Sequence, residues 1–422
     1  MKIKIVSLGC RLNQSEIESV STTLQNSGHE ITQGDNADIY IINSCAVTAR
    51  SERKTRQLIY QALAKTGYSG KEKIIVTGCA PEDISSDIRI TYLSNDHKYM
   101  IPEVIDGLAA DKSKMIPSRF KFDVPVKCST NRVNLKIQDG CDNFCSYCII
   151  PHTRGIPVSK PAESVINEFR ELLDNGYKEI ILTGVNIGKY GDGETGLAEL
   201  AERILSLNGE FRLHMTSLDP DSASERLLSL FHEERMVKHL HLSLQSGSDT
   251  VLKRMNRPYN RYEYIAVSEQ LKQIDKDFNF TTDIIVGFPG ETESEFNETL
   301  SLVKQVGFSH VHTFRYSARP GTKAAEMENA VPEIVKTERS RELIQLFNEQ
   351  KTDYYKRFSG RAGVFLSEKF SRSVTSGFNE HYIPVEIYEK LPKNSFFKIT
   401  TVYNDSKNIL TGTIASPDSE TL

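Results

Sequence analysis

The chain has 422 residues, 38% of them hydrophobic and 26% charged, with a formal net charge of −4. This length exceeds what one ordinary hydrophobic core accommodates, and the composition excludes a disordered chain, so two or three globular domains are expected. The slightly negative charge does not indicate a general nucleic-acid binder, and any such contact requires local basic patches. No apolar run reaches the roughly 18 residues of a membrane span, and the N-terminal apolar stretch is too short for a signal peptide. We therefore expect a cytoplasmic protein without a membrane partner.

The first part of the chain alternates between β-rich and helical segments. The alternation predicts a parallel, doubly wound sheet of the flavodoxin-like type in an N-terminal domain at 1–115. The predicted strands are 3–8, 38–45 and 73–79, and the predicted helices are 13–28 and 48–65. Residues 111–130 lack clear periodicity and carry two prolines, so we interpret them as a linker. Cys128, within this linker, is interpreted as an incidental thiol.

A second series of β-rich runs occupies a predicted domain at 130–355. Each run ends in Gly, Asp, Pro or Ser, and a helical segment follows most of them. Six such units predict a partial (β/α)6 barrel of the TIM type, in which chemistry is located at the carboxyl ends of the strands. The six runs are "RVNLKIQDGC", "KEIILTGVNIG", "FRLHMTSLDP", "KHLHLSLQSGS", "NFTTDIIVGFPG" and "SHVHTFRYSARPG".

The last part of the chain changes character. One long charged helix begins at 333, and short strands separated by turn residues then follow in the sequence at 358–422. These strands predict a small all-β barrel, a fold that often handles nucleic acid. Lys and Arg are scattered there among the aromatic residues Phe365, Phe370, Phe378 and Tyr382.

Three cysteines follow the first predicted barrel strand with the spacing C-x3-C-x2-C. Cys141, Cys145 and Cys148 place three thiolates on one tight loop, which suits a soft metal centre. A cubane iron–sulfur cluster normally takes four cysteines, so three leave one iron open for chemistry. Zinc remains an alternative, because His152 lies four residues after Cys148. A disulfide is disfavoured by the expected reducing compartment.

Three further cysteines occupy equivalent positions in the first domain. Cys10, Cys45 and Cys79 each lie just past the carboxyl end of a different predicted strand. Parallel strands end along a common edge, so these thiols are expected to converge although they are distant in sequence. A single free cysteine is often a small buried hydrophobe, but three at the same structural position indicate a second metal site.

The six cysteines and their order resemble the radical S-adenosylmethionine (SAM) methylthiotransferases, with an N-terminal domain carrying three cysteines, a radical SAM barrel and a C-terminal TRAM domain. The resemblance covers essentially the whole chain. The segments "SLGCRLNQSE", "INSCAVT", "LTGVNIGKYG", "DIIVGFPGET" and "FRYSARPGT" are most similar to the branch that modifies tRNA threonylcarbamoyladenosine at position 37, beside the anticodon.

The resemblance implies two 4Fe-4S clusters and SAM as cofactors. The catalytic cluster on Cys141, Cys145 and Cys148 would bind SAM through its open iron and cleave it to a 5′-deoxyadenosyl radical. The cluster on Cys10, Cys45 and Cys79 would deliver a methylated sulfur. The radical removes hydrogen from C2 of the adenine, and a methylthio group takes its place. An aromatic C–H is not acidic, so a radical cofactor is required where acid–base catalysis fails.

The resemblance also implies where SAM is bound. Tyr147 is expected near the adenine, and Gln245 has the strongest case among the polar strand-end residues. The expected SAM contacts are Tyr147, Thr183, Gly184, Val185, Ser217, Gln245, Asp283 and Gly287. Asp283 has structural capping as an alternative role, and Gly287 has that of a turn glycine.

Substrate contacts are expected from three groups of basic residues. The helix after Cys45 carries Arg50, Arg53, Lys54 and Arg56, of which Arg50 and Lys54 share a face; a solvated face is the alternative. Arg254 and Arg257 are expected to contact phosphate or the SAM carboxylate. Arg315 and Arg319 are expected to bind the threonylcarbamoyl group at the barrel mouth.

Three alternatives remain open from the sequence. The same chemistry would act on isopentenyladenosine of tRNA or on a ribosomal-protein aspartate, and a zinc-holding RNA-binding protein is the non-enzymatic hypothesis. For the enzyme, the expected partners are tRNA, an electron donor such as flavodoxin or ferredoxin, and a sulfur donor.

Overall fold

The computed structural model describes residues 1–66, 73–79, 84–107, 116–126 and 132–415. Cys128 and the ends of the expected linker lie outside the described residues. No helix in the described part of the chain combines the length and apolar character needed to cross a membrane.

The N-terminal region is a parallel sheet of five strands in the order β2-β1-β3-β4-β5. Its strands are β1 (Lys2–Ser7), β2 (Glu30–Ile31), β3 (Ile39–Ser44), β4 (Lys73–Gly78) and β5 (Ile90–Tyr92), and its helices are α1 (Arg11–Asn26), α2 (Ala49–Lys65) and α3 (Ile101–Ile105). All six residues of β3 are buried, as is typical of a central strand with both faces covered. This strand order confirms the flavodoxin-like prediction and places the topological switch point between β1 and β3.

The middle region contains six parallel strands that form the partial barrel. Two three-stranded sheets, β6-β9-β12 and β13-β14-β15, meet through isolated bridges such as Leu218 to Leu242. The barrel strands are β6 (Arg132–Lys136), β9 (Glu179–Thr183), β12 (Arg212–Met215), β13 (His239–His241), β14 (Asn279–Val286) and β15 (His310–Arg315). Short antiparallel pairs are formed by β7 (Gln138–Asp139) with β8 (Val158–Ser159), and by β10 (Gly191–Asp192) with β11 (Thr195–Gly196).

Helices cover the outside of this barrel and bury its largest apolar core. The helices are α4 (Ile150–Arg154), α5 (Ala162–Asp174), α6 (Leu197–Leu205), α7 (Glu225–Ser229), α8 (Asp249–Arg254), α9 (Arg261–Ile274), α10 (Glu293–Val306) and α11 (Glu333–Lys356). Phe169, Leu200 and Phe296 of α5, α6 and α10 are fully buried in that core. Capping boxes begin α9 at Asn260 and α10 at Thr292, which fixes where these helices start after their strands.

The C-terminal region is a closed barrel in the order β16-β17-β18-β20-β19. Its strands are β16 (Ala362–Ser371), β17 (Val374–Asn379), β18 (Pro384–Ile387), β19 (Phe396–Asn404) and β20 (Ile409–Ile414). The small all-β barrel is therefore confirmed, with β17 as an additional strand. The strand β17 was not predicted because the hairpin before it turns at Arg372 and Ser373, both with positive φ. The usual turn sequences, Asn-Gly or Gly-Gly, are absent there.

The C-terminal barrel contacts the amino ends of the strands of the partial barrel, opposite the cysteine loop. Arg212 of β12 donates to the carbonyl of Val364 at 2.6 Å, and Asn279 of β14 donates to the carbonyl of His381 at 2.7 Å. Tyr382 packs edge-on against the buried ring of His214, with ring centroids 4.8 Å apart. The β domain therefore covers the bottom of the partial barrel.

Two aromatic residues of the β domain, Phe378 and Tyr382, take part in this contact. Phe378 stacks on Tyr382 at 4.8 Å, and the guanidinium of Arg132 lies 3.9 Å above the Phe378 ring. Phe365 is fully buried in the core of the β domain, whereas Phe370 is 44% exposed. Phe370 is therefore the most exposed of these four aromatic residues.

Candidate functional site

The loop of Cys141, Cys145 and Cys148 is held by main-chain hydrogen bonds. The amide of Cys141 donates to the carbonyl of Gly155 at 3.0 Å, and the amide of Cys148 donates to the carbonyl of Cys145 at 2.9 Å. Burial raises the pKa of Cys141, and it raises that of Cys148 to about 12; the neighbouring thiols add to both shifts. Three crowded thiols are unfavourable as free thiolates, so this donor set suits a cationic centre that compensates them.

Arg257 links this loop to the strand ends of the barrel. Its Nη1 donates to Sγ of Cys145 at 3.0 Å, and its Nη2 donates to Oδ1 of Asp219 at 2.6 Å. Asn143 of the cysteine loop and Asn186 both donate to Oδ2 of Asp219, at 2.9 and 3.0 Å. The loop is therefore fixed by one buried ion pair and two amide side chains.

The segment after α8 supports the same loop from outside. The amide of Ser146 donates to the carbonyl of Met255 at 3.0 Å, and Nδ2 of Asn256 donates to the carbonyls of Asn143 and Phe144 at 3.1 Å each. Phe144 has a φ of 45°, a conformation that non-glycine residues adopt only where the surroundings enforce it.

Cys10, Cys45 and Cys79 follow β1, β3 and β4, three neighbouring strands of the N-terminal sheet. The amide of Cys79 donates to the carbonyl of Ser44 at 3.3 Å, which ties two of the three loops together. Burial raises the pKa of Cys45, and the thiols of Cys79 and Cys10 add to the shift. The three thiols therefore share one electrostatic site, and this second triplet suits a metal centre for the same reason as the first.

A cavity of about 280 Å³ lies between the first triplet and the segment that follows Cys45 of the second. One side is formed by the loop of Cys141, Cys145 and Cys148, and another by Val47 and Thr48, the second and third residues after Cys45. The floor and walls come from the carboxyl ends of the barrel strands, as the TIM-type fold predicts.

Five of the eight expected SAM contacts line this cavity, namely Tyr147, Val185, Ser217, Gln245 and Asp283. Ser217 and Gln245 both have positive φ, 61° and 67°, which marks the cavity as a place where backbone strain is maintained.

The other three expected SAM contacts lie behind the cavity lining. Thr183 is buried, and Gly184 packs so tightly on Gln138 that a Cβ there would overlap its side chain. Gly287 lies against the side chain of Lys336 with a φ of +70° and donates its amide to Glu291 at 2.6 Å, which corresponds to the turn role.

The basic residues expected to contact the substrate differ in exposure and in their partners. Arg50 and Lys54 are exposed on α2, and Arg315 is a half-exposed residue of the cavity lining. Arg319 is buried and its Nη1 donates to Glu52 of α2 at 2.9 Å, so it connects the barrel mouth to the N-terminal region. Arg254 makes a two-pronged ion pair with Glu295, at 2.8 and 2.9 Å, away from the cavity lining.

A group of imidazoles surrounds Asp283 inside the barrel. One ligand atom each from His241, Asp283 and His312 lies within 4.8 Å of the others. Burial acts to raise the pKa of Asp283, but His241, His312 and His310 outweigh it, and the pKa is lowered. The carboxylate therefore stays ionised and is available as a hydrogen-bond acceptor in the cavity.

Several site residues escaped the sequence analysis. Asp219 lies only two positions past Ser217, at the same strand end, so the rule that selected Ser217 was sufficient to find it. Asn143 and Asn186 carry no signal in the sequence, because their roles depend on meeting Asp219 in the fold. His152, the alternative zinc ligand, is an exposed residue of α4.

Comparison with known proteins identifies the family. Residues 135–303 match the Radical SAM superfamily, and residues 2–96 match the uncharacterized protein family UPF0004. The threonylcarbamoyladenosine tRNA methylthiotransferase MtaB of Thermotoga maritima is 40% identical over 91% of both chains. A tRNA-2-methylthio-N(6)-dimethylallyladenosine synthase of Syntrophus aciditrophicus is 33% identical over 88% of this chain and 84% of its own.

A solved structure supports the fold alone. The radical SAM methyltransferase TsrM of Kitasatospora setae, with cobalamin and a 4Fe-4S cluster bound, superposes with a TM-score of 0.56 at 11% identity and covers 77% of each chain.

Membership of this family indicates which cofactors the chain uses. Radical SAM enzymes use SAM and a 4Fe-4S cluster, and methylthiotransferases carry two clusters, which the two cysteine triplets fit. The chain is therefore an enzyme, and the zinc-protein alternative is not favoured. The chain belongs to the radical SAM tRNA methylthiotransferases of the MtaB type.

Proposed function

We propose that this chain inserts a methylthio group at C2 of N6-threonylcarbamoyladenosine, next to the anticodon at position 37 of tRNA. The relative from Thermotoga maritima, 40% identical over nearly the whole length, is named for this modified base. The proposal includes the cytoplasm as the location, because tRNA is modified there.

One observation supports the proposal: a single cavity is lined both by the Cys141, Cys145 and Cys148 loop and by Val47 and Thr48 of the segment that follows Cys45. A substrate base in this cavity would lie between the first triplet and the segment that follows Cys45 of the second. This is the arrangement that the reaction needs, since hydrogen has to leave C2 and sulfur has to arrive at the same carbon. When bound, the cluster on Cys141, Cys145 and Cys148 supplies the electron that cleaves SAM, and the auxiliary cluster supplies the sulfur.

The residues of the cavity have separate tasks in this proposal. Tyr147, Val185, Ser217 and Gln245 bind SAM, and the ionised Asp283 accepts hydrogen bonds from SAM or the substrate. Two further expected SAM contacts, Thr183 and Gly184, shape the turn before Val185. Gly184 packs on Gln138, and Gln138 accepts hydrogen bonds from the amides of Val185 and Asn186 at 3.0 Å each.

The threonylcarbamoyl group and the tRNA backbone are bound at the mouth of the cavity. Arg315 is half exposed there, and its Nη1 donates to Thr337 at 2.9 Å, so the remaining donors can reach the carboxylate of the threonyl group. Arg319 holds α2 against the mouth, which places Arg50 and Lys54 where tRNA phosphates would pass. Arg257 acts on the radical SAM loop, and Arg254 supports α8. A flavodoxin or ferredoxin is the proposed electron donor, and a separate sulfur donor is required.

Mass spectrometry of tRNA nucleosides tests the substrate. A deletion strain should lack methylthio-threonylcarbamoyladenosine and retain the unmodified threonylcarbamoyladenosine, and the wild-type gene should restore the product. A gene carrying Cys145→Ala, produced at the same level, is the matched control and should not restore it. If the strain instead lost methylthio-isopentenyladenosine, the substrate would be the other tRNA base. If both bases were unchanged, a tRNA substrate would be excluded.

A further inference from the structure

Arg154 connects the helix that follows the radical SAM loop to the second cysteine triplet. It ends α4, which begins two residues after Cys148, and it is 3% exposed. Its Nε lies 3.4 Å from Sγ of Cys79, a member of the other triplet. The side chain therefore extends from the radical SAM loop to the auxiliary site.

The other nitrogens of Arg154 orient the guanidinium towards that sulfur. Nη1 donates to Asp139 at 3.0 Å and to Glu16 at 3.1 Å, and Nη2 donates to Oδ1 of Asn13 at 2.7 Å. With both Nη groups occupied, the plane of the guanidinium is fixed and Nε points at Cys79.

Asn13 extends this contact to the two other cysteine loops. Its Nδ2 donates to the carbonyl of Ser44 at 2.8 Å, next to Cys45, and to the carbonyl of Leu8 at 2.9 Å, two residues before Cys10. Arg154 thus touches Cys79 directly and, through Asn13, holds the backbone beside the remaining two cysteines.

The charges around Arg154 are unequal in number. Among the residues that the structure describes, three basic side chains, Arg154, Lys98 and Lys136, pair with two carboxylates, those of Glu16 and Asp139, in one connected buried network. The side chains of all five are at most 5% exposed. Isolated charge is costly in the interior, so a further negative charge beside Arg154 is favourable. A cluster-bound Cys79 is a thiolate and supplies that negative charge.

We propose that Arg154 is a positioning residue for the auxiliary cluster: it donates a hydrogen bond to the Cys79 thiolate, and its network compensates the negative charge of the cluster. Hydrogen bonds to the sulfurs and the net charge around a cluster set its reduction potential. Because reduction adds negative charge, Arg154 stabilises the reduced form and raises the potential. The proposal rests on the auxiliary cluster of the family and is independent of which base is modified.

The test uses the full chain with Cys141, Cys145 and Cys148 changed to Ala, so that it holds the auxiliary cluster alone. Iron content, thermal unfolding and the midpoint potential from an EPR-monitored titration are measured for this chain and for Arg154→Gln and Arg154→Lys in it. Arg257→Gln is the matched control, because it removes a buried arginine from the other triplet.

We expect a more negative midpoint potential for Arg154→Gln, a smaller shift for Arg154→Lys, which keeps the charge, and the parent value for Arg257→Gln. A parent potential in a fully iron-loaded Arg154→Gln chain would overturn the proposal. If Arg154→Gln does not fold, Arg154→Lys decides: a lowered potential supports the role, and a lowered unfolding temperature with the parent potential overturns it. The substrate proposal is tested on tRNA products, so the two failures are distinguishable.

Discussion

Cys141, Cys145 and Cys148 lie within eight consecutive positions of one loop, whereas Cys10, Cys45 and Cys79 come from the ends of three separate strands. The first triplet depends on the main-chain hydrogen bonds of its own loop and on the side chains of Arg257, Asp219 and Asn256 around it. The second depends on the register of the sheet, in which Ser7 pairs with Asn43 and Ser44 pairs with Gly78. The cysteines of one site are therefore brought together by their spacing in the sequence, and those of the other by the pairing of strands. Changes at the two triplets should have separable effects on SAM cleavage and tRNA modification.

Removal of a cysteine is the strongest way to test this separation. Cys145→Ala should abolish both SAM cleavage and tRNA modification, because the SAM-binding cluster loses a ligand. Cys79→Ala should also abolish modification, yet SAM cleavage to 5′-deoxyadenosine should continue. Chromatography of 5′-deoxyadenosine beside nucleoside analysis measures both, and iron should fall from about eight to about four per chain in each variant. Modified tRNA from Cys79→Ala would contradict the division of tasks.

Two glycines that precede cysteines test the backbone of each site. Gly78 has a φ of +102° and Gly140 one of +76°, and a Cβ would overlap the carbonyl oxygen of Ser44 or of Ile156, respectively. Alanine should cost about 1 to 3 kcal/mol in strain alone, besides the overlap. Gly78→Ala should lose the auxiliary cluster and Gly140→Ala the radical SAM cluster, as measured by iron content and SAM cleavage.

The control for this pair is Gly176→Ala. Its φ of +88° gives comparable strain, but no atom lies within 4 Å of the added carbon. This variant should keep about eight irons per chain. Equal iron loss in all three variants would mean that strain, and not the contact beside the cysteine, explains the effect.

Arg257→Gln should weaken the site of Cys141, Cys145 and Cys148 without emptying it. The variant loses a charged hydrogen bond to Cys145 and leaves the buried Asp219 without its cation. Loss of a charged hydrogen bond predicts about a 10- to 100-fold slower SAM cleavage. Arg257→Lys, which restores the charge, should recover part of the rate. Unchanged SAM cleavage in Arg257→Gln would show that the loop is held by its main chain alone.

The smallest effect is expected at the opposite end of the barrel, where His381 donates to Asp275 at 2.9 Å. Burial acts to lower the pKa of His381, but Asp275 and Glu380 outweigh it and raise the pKa; the partner interaction lowers that of Asp275. Because the pKa of His381 is raised, this histidine contributes fully to the free energy of unfolding below its ordinary pKa of 6.5. The contribution is lost as the pH rises through the raised pKa. Because the pKa of Asp275 is lowered, this aspartate contributes to the free energy of unfolding above its ordinary pKa of 3.8. The contribution is lost as the pH falls through the lowered pKa.

His381→Asn should therefore reduce the free energy of unfolding by roughly 1 to 2 kcal/mol near pH 5.5 and by less near pH 9. Urea unfolding at both values measures this difference. Both cysteine sites should keep their iron, because this contact is at the other end of the strands. A larger deficit at pH 9 than at pH 5.5 would contradict the charged pairing.

The sequence was sufficient for the parts of the molecule that follow from local pattern. The spacing of Cys141, Cys145 and Cys148 identified one site, and the common position after three strands identified Cys10, Cys45 and Cys79 as a group. The parallel sheet, the partial barrel and the β domain followed from periodicity in the same way. These features depend on residues near each other or on a rule that holds for every parallel sheet.

The features that escaped prediction depend on side chains meeting across the fold. Asp219 lies at a strand end, but its three donors, Arg257, Asn143 and Asn186, have no spacing in the sequence that indicates that they meet there. Arg154 was invisible for the same reason, since its partners Glu16 and Cys79 lie 138 and 75 positions away. Charge composition reveals how many ionised residues exist but not which of them are buried together.

The contact between the β domain and the bottom of the partial barrel has a consequence for how the chain is made. Arg132, in the first strand of the barrel, pairs with Glu368, which is synthesised 236 positions later. At ordinary translation speeds the ribosome needs roughly 10 to 50 seconds for that stretch. During this interval the amino ends of the strands, with the histidines that Tyr382 later covers, lack their contacts with the β domain. The barrel of the growing chain therefore stays uncovered at one end. We expect a chaperone to protect this end or a slow final folding step to cover it.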